Sequence, residues 1–135
     1  GYLCGRLLAI LEFIQKAAMP GIKATIVDRY YGTASSAPAS VYGRLLRTAQ
    51  AHLTKLRKEK IGAYNVLQKD LGEVLSKLKD FPTTLSLQNQ ALFALGYYHQ
   101  RVAGWGSGKK QSLQVTSSDI KESEEGVSDD NESLS

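Results

Sequence analysis

A chain of 135 residues has room for one domain of ordinary size and an extension, which excludes a multidomain enzyme, and its 42% apolar content with three prolines is that of a folded protein. Lys and Arg outnumber Asp and Glu 16 to 6 over residues 1–110 but are outnumbered 7 to 1 over 111–135. A strongly basic fold with an acidic tail points to a polyanionic partner and away from a hydrolase built on paired carboxylates.

The first segment spaces Leu3, Leu7, Ile10, Leu11, Ile14 and Ala18 by threes and fours, the pattern of one helix face, and stops at Met19-Pro20-Gly21. A shorter helix is predicted from Ile22 to about Ala34, broken by Ser35-Ser36-Ala37-Pro38. From Pro38 onward Val41, Leu45, Ala49, Leu53 and Leu56 recur at helical spacing up to Lys58-Glu59-Lys60, which predicts the longest helix. After Gly62 the positions Tyr64, Leu67, Leu71, Val74, Leu75 and Leu78 repeat the pattern, beside a charged ladder of Lys69, Glu73 and Lys77, until Asp80-Phe81-Pro82. Ser86 suits the cap of a fifth helix whose Leu87, Ala91, Ala94, Leu95 and Tyr98 share a face, and Gly104, Gly106 and Gly108 end it.

Apolar and polar residues alternate nowhere for long enough to suggest strands. The expected fold is therefore all-α, an antiparallel bundle of about five helices over residues 1–106. Residues 107–135, rich in Ser, Asp and Glu, are expected to form a disordered tail, with one short amphipathic stretch around Leu113 to Ile120. No apolar run approaches the length of a membrane span, and the amino end lacks the pattern of a signal peptide. Cys4 is the only cysteine, which fits a reducing cytoplasm and excludes an internal disulfide.

No constellation for catalysis is visible. Cys4 reads as a buried thiol, His52 and His99 are isolated from carboxylates, and Glu12, Glu59, Asp70, Glu73 and Asp80 read as solvated helix positions. The stretch Gly104 to Lys110 lacks the spacing of a phosphate loop. No enzyme, metal site or cofactor is expected.

The basic residues are more informative. At 100° per residue, with Arg44 set at zero, Arg47, Lys55 and Lys58 fall at about −60°, +20° and −40°, while the apolar positions of that helix fall between about +60° and +180°. One helix can thus bury an apolar face and offer four cations to phosphates. Lys23, Arg29 and Arg101 are further candidates for phosphate contact. The neighbouring aromatics suggest a second role, in which Tyr30, Tyr97, Tyr98 and Trp105 bridge protein subunits and the charge is secondary.

The segment Ala24-Thr25-Ile26-Val27-Asp28-Arg29-Tyr30-Tyr31-Gly32-Thr33-Ala34-Ser35-Ser36-Ala37-Pro38 resembles a signature near the carboxyl end of the type I-C CRISPR effector large subunit. The opening Tyr2 to Glu12 and the stretch Phe93 to Arg101 are similar to that family in the same order, so the resemblance covers about residues 2–103. It implies the large subunit's helical carboxyl-terminal domain, equivalent to the separate small subunit of the type I-C surveillance complex, Cascade. Its implied partners are the backbone and large subunits, neighbouring copies of itself, target DNA and the guide crRNA. Implied too is a non-catalytic role, stabilising the target or displaced strand of the R-loop during antiviral defence. The acidic tail departs from the matched pattern.

Overall fold

A helix that is apolar on every side has no face to offer solvent, and residues 3–14 are apolar or glycine at all positions but Arg6 and Glu12. In the computed structural model, which describes residues 1–105, this stretch lies in helix α1 (Tyr2–Ala18) at the centre of the fold. Leu7, Leu8, Ile10 and Ile14 are fully buried, each worth about 1.5–3 kcal/mol. Burial extends around the helix well beyond the single predicted stripe, of which Leu3 is only half-buried. The chain divides into two units, Gly1–Arg101 and Val102–Ser135, and all the helices belong to the first except the last two residues of α5. The predicted tail, its boundary at residue 106 and the stretch Leu113 to Ile120 lie outside the described residues.

Helix α2 (Ile26–Ser36) begins four residues later than the spacing predicted, because a capping box fixes its start. Thr25 Oγ1 accepts from the Val27 amide at 3.2 Å, and the Asp28 carboxylate accepts from the Thr25 amide at 2.8 Å. At the other end Ser35 and Ser36 donate to the Gly32 carbonyl, so the predicted breaker residues complete the last turn instead. A 3-10 turn at Pro38–Ser40 then leads into α3 (Tyr42–Glu59), the longest helix as expected, with Tyr42, Leu45, Ala49, Leu53 and Leu56 buried. The Tyr42 hydroxyl donates to the Cys4 carbonyl at 2.6 Å, and its ring stacks on Phe81 with centroids 4.8 Å apart.

Lys60 alone separates α3 from α4 (Ile61–Lys77), and the two helices pack on each other and on α1. Among the described residues the ion pairs are those of Glu12 with Lys16 and Arg101, so the Lys69, Glu73 and Lys77 ladder stands solvated and unpaired. The connection from α4 to α5 is stitched to the end of α2: the Ala39 amide donates to the Pro82 carbonyl and the Leu85 amide to the Ser36 carbonyl.

Helix α5 (Leu87–Ala103) is capped by Ser86, whose Oγ accepts from the Asn89 amide at 3.2 Å, and ends before Gly104, which has a φ of 75°. Its orientation corrects the sequence reading. The buried side carries Phe93, Gly96 and Gln100, whereas Leu87, Leu92, Leu95 and Tyr98 are exposed. Glycines decide this. A Cβ on Gly96 would collide with the Tyr2 carbonyl, one on Gly5 with the Phe93 carbonyl, and one on Gly1 with that of Asn89. The backbones of α1 and α5 therefore meet directly, an approach possible only where both helices lack side chains. The result is the all-α, five-helix antiparallel bundle expected, without strands among the described residues.

Candidate nucleic-acid interface

The amphipathic pattern of α3 places its cations as the wheel geometry requires. Arg44, Arg47, Lys55 and Lys58 are all exposed, opposite the buried Leu45, Ala49, Leu53 and Leu56. Their surroundings differ. Lys55 Nζ donates to the Ala18 carbonyl at 2.8 Å, and Lys60 Nζ to the Ala17 carbonyl at 3.1 Å, so two lysines close the carboxyl end of α1. Arg44, Arg47 and Lys58 have no such partner among the described residues and present three charges to solvent.

The other predicted phosphate contacts lie on other elements. Lys23, before α2, and Arg29, on α2, are exposed and unpaired among the described residues. Arg101 is committed in part: its Nη1 lies 3.4 Å from Glu12 Oε1 and 2.8 Å from the Tyr97 hydroxyl. Glu12, expected to be solvated, is only 4% exposed and is the hub of this cluster, which is a correction. Its carboxylate accepts from Thr25 Oγ1 at 2.9 Å and from the Tyr97 hydroxyl at 2.8 Å, and Lys16 stands 3.7 Å away. A buried carboxylate needs such donors, and here they tie α1 to the start of α2 and to α5. Burial and the bond to Glu12 push the Tyr97 hydroxyl up to about 12.

Of the predicted protein-contact residues, Tyr98 is 64% exposed on the bare face of α5, while Tyr30, Tyr97 and Trp105 are half-buried. Tyr97 also meets the ring of Tyr31 edge-on at 5.4 Å, and Tyr31 meets Phe93 in the same way at 5.3 Å. Tyr97 is thus part of the seam between α2 and α5.

One feature of the surface has no counterpart in the sequence reading. Between α3 and α4 lies a cleft of about 370 Å³, floored by Leu53, Leu71 and Leu75. Tyr64 and Arg57 form one wall, the guanidinium carbon 5.9 Å from the ring centroid, and Gln50 and Gln68 stand at the rim. Gly72 also lines the cleft, and a Cβ there would meet no atom within 4 Å. The only signal for it in the sequence is the placement of Arg57 and Tyr64 on either side of a tight helix connection, with a glycine two turns further along the tyrosine's face.

A family model for a CRISPR-associated protein, Csd1, matches residues 1–105, the whole of the described helical region. The chain belongs to the Csd1 family of CRISPR-associated proteins. No curated protein matches it closely enough to count as a relative.

Within this Csd1 chain, chemistry-bearing groups are dispersed. Cys4 is buried and its thiol is pushed up by that burial, which keeps it protonated and unreactive. His52 is pulled down by partial burial and by nearby Lys55, so its imidazole is held neutral on the flank of α3. No group of three or more potential metal ligands occurs among the described residues, and no helix there is long and apolar enough to cross a membrane.

Proposed function

We propose that this Csd1-family chain acts as a non-catalytic small subunit of a type I-C Cascade complex in the cytoplasm, holding the phosphates of the target or displaced DNA strand along α3. The observation that carries this reading is the row of exposed Arg44, Arg47 and Lys58, unpaired among the described residues, on a helix whose other face is buried. The surplus of 14 basic over 6 acidic residues across 1–105 supplies a long-range field of the same sign. Guide pairing would supply the sequence specificity, leaving this chain to stabilise an opened strand without reading it. Lys55 contributes mainly by fixing the end of α1, so it adds less to phosphate holding than its place on the helical wheel suggests.

The test compares target-DNA opening by complete complexes carrying the natural chain or the triple variant Arg44→Ala, Arg47→Ala, Lys58→Ala, with assembly checked by mass. Normal assembly with reduced opening is the expected outcome. Unimpaired opening would remove α3 from the strand-holding surface.

A second reading, a scaffold bridging the backbone and large subunits, is favoured by the exposed Leu87, Leu92, Leu95 and Tyr98 on α5. It predicts that Leu95→Glu with Tyr98→Glu blocks assembly while leaving the isolated chain folded.

A further inference from the structure

We propose that the cleft between α3 and α4 seats one unpaired nucleobase of a bound single strand, an inference that rests on the strand-holding function proposed above. Four properties of the cleft converge on this ligand. At about 370 Å³ it falls within the range of small-ligand sites, about 300–1,000 Å³. Its wall offers the Tyr64 ring beside the Arg57 guanidinium, two flat groups on which any base can stack. Its floor of Leu53 and Leu71 is buried and apolar, suited to the face or edge of a ring. At the rim Gln50 and Gln68 carry amides that bond to no other described side chain, each with donors and an acceptor. Such amides satisfy any base edge by rotating, so the cleft is tolerant of sequence.

Position links the cleft to the cationic row. With Arg44 at zero, Thr54, Gln50 and Arg57 fall at about −80°, −120° and −140° on α3, immediately beyond Arg47 at about −60°. A strand whose phosphates lie on Arg47 and Lys58 therefore passes along the lip of the cleft, and a base turned inward enters it. An apolar side chain from a partner protein fits the site less well. It would cover the floor but strip water from Arg57, Gln50 and Gln68 without returning hydrogen bonds.

The experiment measures binding of the full chain, at low salt, to a fluorescent thymidine oligomer of about 15 nucleotides and to an abasic oligomer with the same number of phosphates. The variant is Gly72→Leu, which fills the cleft from a helix position open to solvent, and its melting curve is taken alongside. The natural chain should prefer the oligomer with bases about tenfold, as one stacked base provides. Gly72→Leu should abolish that preference while keeping the affinity for the abasic oligomer. Equal binding of both oligomers by the natural chain, or a preference that survives Gly72→Leu, overturns the base seat and leaves phosphate holding intact. Failure to bind either oligomer overturns both.

Discussion

Gly96 and Gly72 both lie in helix interiors, yet they should respond to alanine in opposite directions. On intrinsic propensity alone either change favours the helix by about 1 kcal/mol. At Gly72 nothing opposes this gain, because the new Cβ meets open space. At Gly96 the new Cβ strikes the Tyr2 carbonyl, a backbone atom in a helix that cannot turn aside as a side chain would. Helices α1 and α5 must separate, loosening the fully buried Phe93 and drawing Tyr97 away from Glu12. Overpacking of this kind costs about 1–3 kcal/mol, and the upper end applies because both sides are rigid. Offset by propensity, Gly96→Ala should lose about 2 kcal/mol and Gly72→Ala should gain a little under 1. For a domain of this size each kcal/mol moves Tm by about 4–8 °C, so the two variants should straddle the natural protein by well over 10 °C in a circular dichroism melt. Urea titrations should show altered midpoints with similar slopes. A Gly96→Ala protein as stable as the natural one would refute the direct backbone contact between α1 and α5.

Glu12→Gln keeps the shape but removes the charge that Thr25, Tyr97 and Arg101 converge on, and should lower stability by about 1–3 kcal/mol by urea titration. Tyr97 sits in the folded state at about 12, above the usual tyrosine value, as burial also makes Tyr42 and Tyr31. The stability these hydroxyls confer is complete below about pH 10 and falls as pH rises from there through the folded-state values. Tyr97→Phe should therefore flatten the alkaline arm of a stability profile. Lys55→Ala should destabilise by about 0.3–1 kcal/mol through the uncapped end of α1, whereas Lys58→Ala should leave the melt unchanged. For a single strand, Arg44→Ala, Arg47→Ala and Lys58→Ala together should lower the salt-dependence slope by about 2 in a binding titration.

Local signals in the chain announce much of this architecture. Periodicity locates all five helices, Ser86 and Gly104 mark the ends of α5, and the wheel of α3 separates its cations from its core. What escapes is long-range. The capping box at Thr25 and Asp28 is legible but competes with an apolar residue at Ile22 for the start of α2. Glu12 looks solvated because its donors, Tyr97 and Arg101, lie 85 and 89 residues away. The face of α5 is misread because hydrophobicity points to Leu87, Leu95 and Tyr98, while close approach of two backbones, which glycine alone allows, turns Phe93 and Gly96 inward. The cleft escapes because it belongs to neither helix alone.

The central position of α1 sets the order in which the molecule can be made. Helix α1 leaves the ribosome before the four helices that cover it, and its glycine-lined groove stays open until α5 has been made. Contacts of such wide sequence separation slow folding, and a nascent chain stalled before Phe93 would leave the α5-facing side of α1, with Gly5 and Glu12, uncovered. Helix α5 is thus the latch of the bundle, closing the one side of α1 that the earlier helices leave to it.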